Sequence, residues 1–501
     1  MKILKMLSFV ACAALLAAST NAEVFKSPAE IDATVLKSNG DALEATIKLP
    51  KPKKISYAHI ALICEMAKPF GQTNASPTLF VDGNETAAYT MANKEGKIGA
   101  VFVATNTIRD AIRSGKSEID VKIAMRGKEQ TPVKTVALTL YVVGDEKYFR
   151  NSAYLRPIFS GDETSAESVF PLADKDPNKP ATARLLFKPT KVLEAYTLSS
   201  GKKVDLVQGK DYKINGDKIE FLPDSNVKII PWEEMYFPNK EAAEKAGRYF
   251  VFDEAKTLAF FREGNWFHTH MVYISYKHTA TNEKVGETFD EKALPRTLAK
   301  LKAKKPLRVA LYGDSISHGA NASGLSLTIP YAPSWGDQVA QELRKYYKAP
   351  VVYFNRALGG TGTNWGVKNV ESLVCPDKPD LAIIAFGMND RMPKEKYAEN
   401  ISAIIEKIRK ANPEAEVLLV SPMSANPLWH KFPQHEDYRN ALEAMKTTHI
   451  AFADVRSVHK RLLKSKRFLD MTGNNVNHPN DFLIRVYAQT ILQKLIPSYS
   501  R

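Results

Sequence analysis

Four short polar segments in the C-terminal part of the chain carry residue types suited to acyl transfer, and each follows an apolar run. Gly313-Asp314-Ser315-Ile316 follows residues 308–312, and Leu358-Gly359-Gly360-Thr361-Gly362-Thr363 follows 351–354. Gly387-Met388-Asn389-Asp390 follows 381–386. Asn475-Val476-Asn477-His478-Pro479-Asn480 comes after 450–455, just ahead of the last helical pattern. Ser315 offers a nucleophile, but a free hydroxyl is weak until a base takes its proton. His478 offers that base. A tetrahedral intermediate needs donors aimed at its oxyanion; the backbone N–H groups of Ser315 and Gly360 and the side-chain amide of Asn389 supply three. Gly360 lacks a side chain, so its backbone can approach a substrate closely. Taken singly, a Ser or Asn after a strand is a turn former or a helix cap, a Gly pair is a tight turn, and a lone His is structural. The four together, in this order and each at a strand exit, make a far more specific signal.

The elements that must position them are readable from periodicity. Five short apolar runs (308–312, 351–354, 381–386, 417–420 and 450–455) alternate with helical patterns at 335–347, 394–410, 435–445 and 481–495. Buried strands alternating with amphipathic helices predict a parallel sheet covered on both faces. In such a sheet, active groups collect beyond the carboxyl ends of the strands.

These residues resemble the SGNH (GDSL-type) hydrolases, whose name lists Ser, Gly, Asn and His. The resemblance covers roughly residues 306–496. The Gly-Asp-Ser-Ile segment matches the first block, with Ile316 in place of the usual Leu. Gly360 matches the second, Gly387-Met388-Asn389-Asp390 the third and His478-Pro479-Asn480 the last. The resemblance implies a three-layer α/β, flavodoxin-like fold and serine esterase chemistry with no cofactor and no metal. A β-rich module upstream of such a domain is similar to the arrangement of some carbohydrate esterases. One position departs: the family carries an Asp three residues before the catalytic His, and here that residue is Asn475. An Asp would orient the imidazole and stabilise the imidazolium. Three readings stay open: a Ser315–His478 dyad oriented by Asn475 or a backbone carbonyl, another acid such as Asp470 or Asp481, or a slow or inactive site.

Other polar and aromatic residues carry two readings each. Asp314 braces the nucleophile turn. His318 lines the pocket or is structural. Trp365 and Trp429 stack on a sugar or simply pack. His430 and His435 lack the spacing of a compact metal motif. No Gly-x-Ser-x-Gly elbow is present, which argues against an α/β-hydrolase. No Asp-x-His pair follows the first strand, which argues against a metallophosphoesterase.

Upstream, residues 23–143 read as a β-sandwich-like domain. Segments 46–49, 119–123 and 133–143 alternate apolar with polar, the period of a half-buried strand. Residues 144–291 read as a second β-rich, jelly-roll-like accessory domain, rich in aromatics, with Asn215-Gly216 as a hairpin turn. Residues 292–305 read as a basic linker before the α/β domain, 306–501. The expected fold is therefore an α/β three-layer domain preceded by two β-sandwich-like domains.

The 501 residues are 44% hydrophobic and 25% charged, a globular composition that excludes wholesale disorder. Residues 1–22 read as a cleaved signal peptide: Lys2 and Lys5, an apolar stretch of about a dozen residues too short to span a bilayer, then Thr20-Asn21-Ala22 before Glu23. Cys12 lies inside the apolar stretch, the wrong place for a lipoprotein. The mature protein is then periplasmic or secreted, without membrane insertion and without nucleic acid as a partner. Its net charge of +15 is a solvated basic surface or an attraction to acidic polysaccharide. Cys64 and Cys375 are expected as buried free thiols. The functional expectation is an exported esterase removing acetyl or similar groups from a polysaccharide or oligosaccharide. A lipase or thioesterase of the same type, and a non-catalytic carbohydrate-binding protein, are the alternatives. Oligomeric state is not readable.

Overall fold

The structure is a computed structural model. It describes residues 154–500 with short breaks at 200–201, 248, 253–256, 284, 287, 327 and 430–433, and, between 24 and 143, mainly strand backbones. The signal segment, Cys12 and His430 lie outside the described residues.

In the N-terminal part, eight strands form one connected ladder. The strand Asn84–Ala92 changes partner midway, pairing with Ser76–Val81 through its first residues and with Lys97–Val103 through the rest. The alternation at 46–49 is reproduced: Ile47 and Leu49 are buried, and Thr46 and Lys48 face outward. Cys64 lies on the strand Tyr57–Met66.

Three antiparallel sheets follow. A four-stranded sheet runs in the order Lys202–Asp205, Pro189–Ser199, Val272–Asn282, Ser160–Val169. It faces a three-stranded sheet of Thr182–Arg184, Lys218–Phe221 and Tyr212–Asn215. Val169, Ala195, Val272 and Tyr276 from the first share a core with Tyr212, Ile219 and Phe221 from the second. Asn215 and Lys218 pair across the expected hairpin, with Gly216 at φ +64°. A further small sheet pairs Thr257–Phe260 with Tyr236–Phe237 and Tyr249–Phe252.

Residues 295–302, expected within a linker, instead form a helix, Pro295–Lys302. Leu294 and Leu301 enter the core of the following domain and Leu298 is buried, and the Glu416 carboxylate accepts the backbone N–H groups of Arg296 and Thr297. The basic residues that suggested a solvated connector occupy only its outer face.

The C-terminal domain has five parallel strands: β1 (Leu307–Gly313), β2 (Val351–Asn355), β3 (Leu381–Ala385), β4 (Glu416–Val420) and β5 (Ile450–Ala453). Their order is 2-1-3-4-5, the flavodoxin-like doubly wound arrangement. Helices α1 (Ser315–His318), α2 (Trp335–Tyr347), α3 (Thr363–Leu373), α4 (Lys394–Ala411), α5 (His435–Ala444), α6 (Val455–Leu463) and α7 (Asp481–Leu492) complete it. One core, with Val309, Leu311, Ile383, Leu418, Trp335 and Tyr487, lies on one face of the sheet. The other, with Ala310, Tyr312, Ile384, Leu419, Tyr397 and Ile404, lies on the opposite face. Adjacent residues of one strand thus divide between two cores, as a sheet covered on both sides requires.

The accessory sheets dock onto this domain through a buried polar seam. Lys466 Nζ lies 2.5 Å from Glu167 Oε1, both side chains being fully buried. Asp470 Oδ1 accepts the Phe170 N–H at 2.8 Å, and Asn480 donates to Ser168 Oγ at 3.0 Å. Phe170, Phe267 and Tyr273 share an apolar cluster with Ile329, Tyr331 and Leu469.

Candidate active site

Ser315 sits where β1 ends and α1 begins. Asp314 caps α1, its Oδ1 accepting the Ile316 N–H at 3.0 Å. The turn is tight. A Cβ on Gly313 would stand 2.4 Å from the Ala385 carbonyl oxygen and 2.5 Å from Ser317 Oγ, so only glycine fits. His478 lies on the loop before α7, where Asn474 Oδ1 accepts the N–H groups of Val476, Asn477 and His478. This wrapped turn brings His478 Nε2 to 2.9 Å from Ser315 Oγ.

Gly359 and Gly360 lie on the exposed loop after β2. A Cβ on Gly359 would be 3.8 Å from Ser315 Cβ and 3.7 Å from His318 Nδ1, so this backbone passes directly beside the nucleophile. Gly360 has φ +75° and open space where a side chain would be. Asn389, after β3, donates Nδ2 to the Thr361 carbonyl at 3.0 Å, which fixes its amide against the same loop. Asp390 receives the Thr363 N–H at 2.8 Å. Three strand exits therefore converge around Ser315.

The third partner of His478 is not among the sequence candidates. His478 Nδ1 lies 3.0 Å from Glu263 Oε2 and 2.8 Å from Asn321 Oδ1. Glu263 comes from the accessory module, three residues past the strand Thr257–Phe260, and its Oε1 accepts from Asn474 at 3.0 Å. Asn475 does something else. Fully buried at φ +68°, it donates Nδ2 to the Phe260 carbonyl at 2.9 Å and accepts from Asn426 at 3.0 Å. It pins the strand end that presents Glu263 and does not orient the imidazole. Asp470 is paired with Arg467 at 2.8 Å in the domain seam, and Asp481 accepts the Ser323 N–H at 2.9 Å; neither is a partner of His478. The only sequence sign of Glu263 is a charged residue followed by Gly264 (φ +92°) within an aromatic run.

The electrostatics follow from these contacts. Burial favours neutral His478, but the Glu263 carboxylate and then Asp314 outweigh it and raise the imidazole above its ordinary range. Burial likewise works against ionised Glu263, yet His478 and Asn474 hold its carboxyl below the usual range. Asp314, desolvated and facing Asp390, is pushed up to about 7. His318 is buried at the end of α1, and burial with His478 nearby pulls it down to about 3. It therefore stands beside the nucleophile as a neutral ring.

The remaining candidates divide. Trp365 is half-buried and packs against Tyr312, ring centroids 5.7 Å apart, at the edge of the sheet core. Trp429 is half-buried and clusters with Phe261, Leu428 and Val476, two residues before His478. His435 is buried 3.4 Å from the Met388 carbonyl oxygen. Cys375 is a free thiol but only half-buried, short of the expected full burial. Among the described residues no cluster of three or more His, Cys, Asp or Glu is arranged to hold a metal, and no helix is long and apolar enough to cross a membrane.

Residues 311–482 match the family described as GDSL-like lipase/acylhydrolase. A GDSL esterase/lipase of Arabidopsis thaliana is 27% identical over 128 residues, 23% of this chain and 48% of the relative, so the chain spans about half of that protein's length. Among solved structures, a two-domain esterase active on acetylated mannans is 21% identical, covers 44% of this chain and 56% of its own, and has a TM-score of 0.37. An acetylxylan esterase from Geobacillus stearothermophilus is 16% identical over 38% of this chain and 94% of its own, with a TM-score of 0.32. The Ser, Gly and Asn segments at three strand exits, with the His segment ahead of α7, thus lie within the residues that match the GDSL-like lipase/acylhydrolase family, above a 2-1-3-4-5 sheet.

Proposed function

We propose that the protein is a serine carboxylic ester hydrolase that removes acyl groups, acetyl foremost, from a polysaccharide or oligosaccharide, with Ser315, His478 and Glu263 as its triad. The observation that carries this reading is the continuous chain from Ser315 Oγ through His478 to Glu263, at 2.9 and 3.0 Å. Ser315 Oγ attacks the ester carbonyl while His478 Nε2 takes its proton. The N–H groups of Ser315 and Gly360 and the Asn389 amide face the oxyanion. As the tetrahedral intermediate collapses, the bond to the sugar oxygen breaks and the imidazolium protonates that oxygen. Water, deprotonated by His478, then attacks the acyl-enzyme, releasing the carboxylic acid and returning the proton to Ser315. Glu263 stabilises the imidazolium formed in each half.

The aromatic cluster of Trp429 and Phe261 beside the His478 loop supports a sugar face as the binding partner, since pyranose rings stack on flat apolar surfaces. The N-terminal pattern of residues 1–22 supports export. Acetate release from acetylated xylan and mannan, run beside Ser315→Ala, is the test. The variant should fold and lose turnover; release retained by Ser315→Ala refutes the assignment. A panel of p-nitrophenyl esters should show a preference for the shortest acyl chains, and a preference for long chains would make the protein a lipase.

A further inference from the structure

The geometry points to a division of labour at His478 in which Asn321 is a positioning residue: it holds the imidazole in its Nδ1–H tautomer, while Glu263 supplies charge. This rests on the Ser315–His478–Glu263 reading and goes beyond it.

The neutral imidazole carries one proton, which must be on Nδ1 if Nε2 is to accept from Ser315. Two acceptors face that nitrogen, Asn321 Oδ1 at 2.8 Å and Glu263 Oε2 at 3.0 Å. An amide can be flipped, so its orientation must be argued from partners. Asn321 Nδ2 lies 3.1 Å from the Gly264 carbonyl and 3.0 Å from the Gly473 carbonyl. Both carbonyls can only accept, and an amide has two hydrogens to give. The oxygen is therefore forced toward His478, and it can only accept, which demands Nδ1–H.

The same three bonds tie Asn321 to the residue after Glu263 and to the loop carrying His478. Its surroundings leave it little freedom. Asn321 is buried, takes the left-handed conformation at φ +61°, and its carbonyl meets His268 Nε2 at 2.6 Å. A Cβ on Gly473 would stand 2.4 Å from Asn321 Cβ, so the loop closes on Asn321 only because that position is glycine. Glu263 is different. Its side chain is less enclosed, 40% exposed, and its charge favours the imidazolium.

The test separates the two contributions in the full chain with p-nitrophenyl acetate. Replacing a triad acid by a group that imposes the wrong tautomer costs about 10⁴-fold in kcat. Here Glu263→Ala should cost on the order of 10²-fold, because Asn321 still holds the tautomer, and should move the acid limb of kcat/KM to lower pH. Asn321→Ala should lower kcat without moving that limb downward. The double variant should approach the ~10⁴-fold loss, more than the product of the single losses. A ~10⁴-fold loss from Glu263→Ala alone, or single losses that multiply, overturns the proposal.

A second measurement does not depend on activity or on altering Asn321. In ¹⁵N-histidine-labelled Glu263→Ala, the His478 signal is the one missing from the Glu263→Ala/His478→Gln protein. At alkaline pH it should show Nδ1 protonated; an Nε2–H tautomer or a mixture overturns the proposal. Failure of the esterase reading itself would appear separately, as activity surviving Ser315→Ala.

Discussion

The buried ion pair in the domain seam gives a prediction whose size can be worked out. Lys466 Nζ is held by Glu167 Oε1 at 2.5 Å and by the Ser168 carbonyl at 3.0 Å. Glu167 also receives Tyr276 Oη at 2.6 Å and the Leu186 N–H at 2.8 Å. Lys466→Met leaves the carboxylate with two neutral donors and without its direct ion-pair partner, and Glu167→Gln leaves a buried ammonium facing carbonyls. Removing one partner of a buried pair costs about 3–5 kcal/mol, so each single variant should lose that much in denaturant unfolding. The double variant removes both charges of this pair, and its Gln can still accept the Leu186 N–H. It should therefore be more stable than the sum of the singles predicts by about 3 kcal/mol or more. The same seam carries Ser168 against Asn480, two residues after His478. The single variants should accordingly lose esterase activity at denaturant concentrations below the onset of global unfolding. Single losses under about 1 kcal/mol, or additivity within ~0.5 kcal/mol, would refute the claim that this pair fixes the module.

Two further predictions concern the site. Because Glu263 and Asp314 raise His478 against the effect of its burial, activity should fall on acidification with an acid limb of kcat/KM above about 6.5, the ordinary imidazole value; His318 is neutral there, and a limb below that value would contradict the geometry. Asn475→Asp should reduce both stability and activity, since a buried carboxylate would face the Phe260 carbonyl in place of the present donor; retained or higher activity in esterase assays would show that Asn475 does not pin the Glu263 strand.

The parallel domain was largely legible because its signals are local. Each strand is a short apolar run, and α2 begins and ends where its periodicity does. Besides the four-residue α1, two helices were missed for equally local reasons. Helix α3 opens on Thr363-Asn364 with Gly366 inside, and α6 is short and basic; neither presents a long apolar stripe. Ser315, Gly360 and Asn389 stood out because each follows a strand by a few residues, so a sheet edge gathers them without knowledge of distant contacts, and His478 stood out just ahead of the last helix.

Glu263 had no such signal, and the reason is physical. The sequence offers a place for an acid three residues before His478, but in this fold that place is occupied by a different task. Asn475 must give a hydrogen to the Phe260 carbonyl and accept one from Asn426. A carboxylate satisfies the second contact and is repelled by the first. The bond that excludes an acid from position 475 is also the one that secures the strand delivering Glu263 to His478 Nδ1. The amide at 475 and the carboxylate at 263 are thus coupled through one hydrogen bond. On the proposed triad, the carboxylate that faces His478 Nδ1 therefore comes from the β-rich module and not from residues 311–482.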